Sequence, residues 1–311
     1  MEIRKWKMEK SLPMKRLCSI YHLPFTISVG ALLLACSAAP AAVPPTIKHD
    51  EITVASGDAR LAARISYPAD GKRHPALVSV HGSGRLGREQ MAFEWQRLVP
   101  EGLVVLTYDK RGVGESTGEF VSVGTSTSEA YMPILAADAL ECLRALRRHP
   151  SVDADRTGFI GSSQAGWIIP LALSTAAPGE AAFAIIRSGP ATSVGLEMEY
   201  SRLTGDGIRE VTPISAEEMD RRLAAYKGPH GLDTVPLVEK LHTPTLWLLG
   251  DRDESIPIRP TQQNLQRAIA GGAPITVKTY ADADHGLRTS AGTMVPYWGD
   301  ALAWLRARRI L

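Results

Sequence analysis

Apolar and polar positions change rhythm several times along this chain, and the changes divide it. From Glu51 the two kinds alternate, first over Glu51–Ala55 and then over Ala59–Tyr67, with Ser56-Gly57-Asp58 between them. That pattern predicts two antiparallel strands joined by a tight turn. Short strand-like runs follow at Ala76–Val80, Leu103–Thr107, Thr157–Ile160, Ala182–Ile186, Thr245–Leu249 and Ile275–Tyr280. Helix-period stretches lie between them, near Gln90–Val99, Met132–Arg148, Ala165–Ala176 and Thr261–Ala270, and a last helix packs through Trp298, Ala301, Leu302 and Leu305. Strands alternating with helices predict an α/β domain built on a mostly parallel sheet of eight strands, with helices on both faces. In the longest helix Leu135, Ala139, Cys142, Leu143 and Leu146 share one stripe, a packing face with no chemistry. Pro170 is expected to kink the helix that contains it.

Between Ala191 and Glu239 the rhythm is lost. One helix, Ala216–Tyr226, is predicted there by Ser215 with Glu218 three residues on, a capping box. About fifty residues inserted between two sheet strands read as a small lid over residues 191–239.

The first fifty residues belong to a different object. Residues 1–35 carry six Lys/Arg and two Asp/Glu, so of the net charge of +2 the remainder of the chain holds −2. A basic start, an apolar run from Phe25 to Ala35 and small residues beyond read as an export signal. Leu33-Leu34-Ala35-Cys36 resembles a bacterial lipobox, which implies a signal over residues 1–35, lipidation of Cys36, and an Ala/Pro-rich tether over 36–50 leading into a domain at 51–311. A bacterial membrane lipoprotein is the expectation; cleavage near Ala39 or Ala42 to a soluble exported protein is the alternative. An uncleaved anchor fits least well, because Leu17–Ala35 is barely long enough and contains His22 and Pro24. Of the three cysteines only Cys142 is left inside the domain, so no disulfide is expected. The charge makes no electrostatic case for nucleic acid.

Candidate chemistry centres on Gly161-Ser162-Ser163-Gln164-Ala165, where a strand turns straight into a helix. A hydroxyl pushed outward from such a turn needs small residues two before and two after it, because the strand and helix backbones nearly collide. Gly161 and Ala165 meet that need around Ser163, although glycine is commoner than alanine at the second place; around Ser162 the same places hold Ile160 and Gln164. Two further strands run into Gly250-Asp251-Arg252-Asp253 and Asp282-Ala283-Asp284-His285. Serine is a poor nucleophile at neutral pH and needs a base in reach; a histidine of near-neutral pKa serves, and an acid orients it.

The chain order Ser163, Asp253, His285, each after a strand, resembles the α/β-hydrolase superfamily, in particular compact bacterial esterases and dienelactone hydrolases, over about residues 50–311. The resemblance implies that Ser163 is the nucleophile, His285 the base and Asp253 the acid, since the family's acid stands three residues after Gly and four before Pro. Asp284 is the rival acid, but adjacent residues do not easily face one ring nitrogen. It implies backbone N–H donors to an oxyanion from Gln164 and, through the family's His-Gly-x turn at His81-Gly82-Ser83, from Ser83. His81 is then structural, and Asp109 and Arg111, in the family turn Asp109–Ser116, brace a loop. The activity implied is cleavage of small-molecule carboxylic esters through an acyl-serine, with neither metal nor organic cofactor.

Alternatives remain open at this point. A serine peptidase of the prolyl-oligopeptidase or proline-aminopeptidase kind shares the fold, and Glu197 and Glu199 could hold a peptide amino terminus or simply form a solvated face. Gly82, Gly84 and Gly87 spell a dinucleotide-binding motif with Asp109 after the next strand, the mark of an NAD-binding oxidoreductase. A catalytically silent binding protein is the third. Leu196, Met198, Tyr200 and Leu203 suggest an apolar acyl pocket or the docking face of the lid.

Overall fold

The computed structural model describes residues 46–311. The expected signal, Cys36 and most of the tether lie outside the described residues. Among those described, no helix is long and apolar enough to cross a membrane.

The alternating segments form the expected hairpin, β1 (Ile47–Ser56) and β2 (Ala59–Pro68). The strand-like runs become β3 (His74–Val80), β4 (Val104–Tyr108), β5 (Val152–Ser162), β6 (Phe183–Arg187), β7 (Thr245–Gly250) and β8 (Ile275–Tyr280). They make one eight-stranded sheet in the order β1-β2-β4-β3-β5-β6-β7-β8. β2 pairs antiparallel with β4, and all pairs from β4 to β8 are parallel.

The central strands are apolar throughout because both faces are covered. On β7, Trp247 and Leu249 face a core shared with helices α2 (Ser128–Arg147), α3 (Ala165–Thr175) and α7 (Ile258–Ala270). Leu246 and Leu248 face the opposite core, with α1 (Ala92–Leu98) and α8 (Tyr297–Ala307). The stripe on α2, including Cys142, is buried as expected. α3 runs through Pro170 as a single helix.

Two connections leave the centre of the sheet in opposite directions. β3 leads through α1 to β4 on one side, while α2 returns to β5 on the other side of β3. The strand order therefore reverses between β3 and β5, and above their carboxyl ends the loops diverge and leave a crevice. The stretch between β6 and β7 is more regular than its sequence suggests. It holds α4 (Val194–Thr204), α5 (Ala216–Ala224) and the short α6 (Val235–Val238). α5 has the Ser215 cap that was expected, and α4 is capped in the same way by Ser193.

Candidate active site

At the carboxyl end of β5 the chain reverses into α3 within two residues. Ser163 sits at the bend with φ of 57°, a left-handed conformation unusual for a residue with a side chain, whereas Ser162 is still the last residue of β5. Such a conformation persists only where the surroundings fix it. Here the Ser163 N–H donates to the Arg187 carbonyl at 3.0 Å and the Ser163 carbonyl accepts from Gly166 at 2.8 Å. The end of β6 that supplies the Arg187 carbonyl is itself held: the Arg187 side chain pairs with buried Glu94 and lies against the rings of Phe93, Tyr297 and Trp298. A Cβ at Gly161 would land on the Cβ of Ala165, so the two small positions flanking Ser163 touch each other.

Asp253 follows β7 and is buried. Its Oδ1 accepts the N–H groups of Ser255 at 2.8 Å and Ile256 at 2.9 Å, and its Oδ2 meets His285 Nδ1 at 2.8 Å. The Tyr200 hydroxyl on α4 donates to the Asp253 carbonyl at 2.7 Å. Burial alone lowers the His285 pKa, but the Asp253 hydrogen bond outweighs it, with the charges of Asp253, Asp206 and Glu197, and the ring is held above its ordinary value. Asp284 makes no hydrogen bond to that ring; its carboxylate accepts from the Arg288 amide at 2.9 Å. Ser163, His285 and Ser83 line one cleft of about 500 Å³, together with Glu197 and Asp206.

The loop after β3 closes this cleft from the side of the crevice. Gly82 packs on the elbow, 3.4 Å from its would-be Cβ to the Ser162 carbonyl oxygen. Among the described residues no hydrogen bond uses the N–H of Ser83 or of Gln164. His81 is buried below, its Nε2 at 2.6 Å from the Tyr108 carbonyl oxygen; burial and the nearby Lys110 hold its pKa down to about 3, so it stays neutral. Asp109 spends its carboxylate on Arg88 and on the amides of Arg88 and Glu115. Arg111 is locked between Asp138 and Asp58. Both brace loops, and the Asp109 of the dinucleotide-type motif is thus already occupied.

Two carboxylates of the lid stand near the cleft that the sequence did not mark as a pair. Glu197 on α4 faces it, and burial, then the neighbouring Asp206, raises its pKa to about 8. Asp206 lies just past α4 at φ of 61°. Glu199 instead pairs with Arg202. Of the apolar lid residues, Leu203 is buried and Tyr200 braces the Asp253 loop, which makes them docking groups; Met198 is exposed beside the serine.

A profile of the X-Pro dipeptidyl-peptidase (S15) family matches residues 56–205. No curated protein matches the chain in sequence. Among solved structures, a Klebsiella pneumoniae protein assigned as a dienelactone hydrolase superposes with a TM-score of 0.57 at 19% identity, covering 84% of this chain and 97% of that one. A Pyrococcus furiosus esterase gives 0.60 at 16% identity, over 84% of this chain and 91% of the esterase. A Bacteroides ovatus protein assigned as dipeptidyl aminopeptidase IV gives 0.61 at 18% identity, over 85% of this chain but 36% of its own length.

Proposed function

We propose that this chain, which has the α/β-hydrolase fold, is a serine hydrolase that cleaves carboxylic esters through an acyl-Ser163 intermediate. The observation that carries the reading is one cleft shared by a hydroxyl on a fixed left-handed turn, a histidine tied to a buried carboxylate, and Ser83, with Gln164 in the adjoining pocket that Ser163 and Ser83 also line; among the described residues neither the Ser83 nor the Gln164 amide has a hydrogen-bond partner. Ser163 Oγ attacks the acyl carbon as His285 Nε2 takes its proton. The carbonyl electron pair moves onto oxygen, and the amides of Ser83 and Gln164 receive the oxyanion. Collapse breaks the bond to the alcohol, which leaves with the proton from the imidazolium. Water then attacks the acyl-serine by the same route and releases the acid. Asp253 holds the Nδ1–H tautomer of His285, so that Nε2 is free to accept. This chemistry draws on neither metal nor organic cofactor.

The test is turnover of short p-nitrophenyl esters by the domain from residue 46 onward, across pH. Because His285 must be neutral to act and its pKa lies above the ordinary histidine value, kcat/KM is expected to fall as pH drops through that raised value. No ester turnover at any pH, with no labelling by a fluorophosphonate, overturns the reading.

A second reading is favoured by one observation: Glu197 and Asp206 line the cleft beside Ser163, where they could hold a substrate's free amino terminus. The S15 profile points the same way. Turnover of an Xaa-Pro p-nitroanilide that is abolished by N-acetylation of the substrate selects the peptidase; turnover of esters alone rejects it.

We infer further that the enzyme is exported and tethered by lipidated Cys36, a reading supported by the lipobox-like Leu33–Cys36. Globomycin is expected to make an unprocessed precursor accumulate. Normal processing in its presence would leave the soluble exported form.

A further inference from the structure

The loop after β4 places a cation where cations are seldom found. Lys110 is 2% exposed, and among the described residues it forms no ion pair. Its Nζ donates to the carbonyl of Gly82 at 2.7 Å and of Gly84 at 3.0 Å, and to Oε1 of Gln164 at 3.3 Å. The ring of Phe120 lies 5.9 Å away, and the neighbouring His81, just past β3, is neutral. Burial costs this ammonium enough to bring its pKa down to about 8. An unpaired buried charge is expensive, and a neutral side chain could fill the same space.

The identity of the acceptors gives the cost a use. The Gly82 carbonyl and the Ser83 N–H belong to one planar trans peptide, so they point in opposite directions. A cation on the oxygen fixes the direction of the N–H and draws electron density from it, which strengthens it as a donor. The third contact reaches the side chain of Gln164, the residue that carries the other free amide. One ammonium thus grips both halves of the hole, which come from different loops.

We propose that Lys110 is a positioning residue of the oxyanion hole, whose buried ammonium aligns and polarises the Ser83 N–H toward the tetrahedral intermediate and ties it to Gln164. The proposal rests on the ester-hydrolase reading above. A merely structural brace would affect stability and leave transition-state binding alone; the proposed role is selective for the charged intermediate.

The experiment compares wild type, Lys110→Met and Ser163→Ala in melting temperature, ester kinetics and affinity for an aryl trifluoromethyl ketone, which forms an anionic tetrahedral adduct on a serine. In Lys110→Met, kcat and ketone affinity are expected to fall together by about 10- to 100-fold, less than the loss of a whole donor, while KM stays within about twofold. Folded Lys110→Met with kcat and ketone affinity within about threefold of wild type overturns the proposal, whatever its melting temperature. If that variant does not fold, Lys110→Gln, which keeps one donor without charge, is read by the same ratio. Failure of the underlying reading looks different: wild type itself then forms no adduct, or Ser163→Ala forms one as tightly.

Discussion

Ser163→Ala is expected to lower ester turnover about a millionfold, to the residual rate that binding and the oxyanion donors sustain alone. The substitution isolates chemistry from folding better here than at most serines. Alanine has the same Cβ, so it meets the same cost at φ of 57° and keeps the backbone bonds to Arg187 and Gly166 that hold the turn. The hydroxyl itself makes no hydrogen bond within the described residues, so its removal leaves no partner unsatisfied. Melting temperature should therefore change little while fluorophosphonate labelling disappears. A loss of less than tenfold would move the nucleophile elsewhere, and Ser162→Ala would then be the variant to measure. Ser162 is the weaker candidate on geometry, since it ends β5 in extended pairing with Arg187 and has no outward bend.

The residues proposed to react were legible because each follows a segment that reads as a strand, Thr157–Ile160, Thr245–Leu249 and Ile275–Tyr280. A sheet covered on both faces writes itself plainly into sequence, as at Thr245–Leu249, and what comes after it must stand at the sheet's edge. Less was written about the lid. α4 has a polar, mixed surface because one side faces the cleft, and its Ser193 cap lacks the Glu or Gln three residues on that marks a capping box. The sequence therefore offered Glu197 beside Glu199, whereas its neighbour in the structure is Asp206, which comes close only through the turn that follows the helix. Lys110 was hidden for another reason. It sits inside the turn Asp109–Ser116, but lysine is almost never fully buried, and nothing local tells that its partners are Gly82 and Gln164, 28 and 54 positions away. The strand order was equally out of reach, since placing β3 between β4 and β5 depends on which way two helices cross.

Asp253→Asn is expected to reduce kcat about ten-thousandfold with little change in KM, the second largest effect, and the geometry gives the reason. The two oxygens of Asp253 have separate tasks: Oδ1 accepts from the amides of Ser255 and Ile256, and Oδ2 faces His285 Nδ1. An asparagine must choose which end goes where. Two backbone donors demand its oxygen, so its NH2 group turns toward the histidine. That group can only donate, which forces Nδ1 to be the unprotonated nitrogen and puts the proton on Nε2, where the serine's proton must be received. The base is thus disabled with every contact of the loop retained. Removing the carboxylate also removes the strongest influence that raises the His285 pKa, so the acid limb of whatever activity remains should move to lower pH. Asp284→Asn serves as the control; its carboxylate accepts from Arg288 and not from the ring, so kcat should stay within about twofold of wild type. Equal losses in the two variants would show that the orienting acid has been misassigned, because only one of them changes the tautomer of His285.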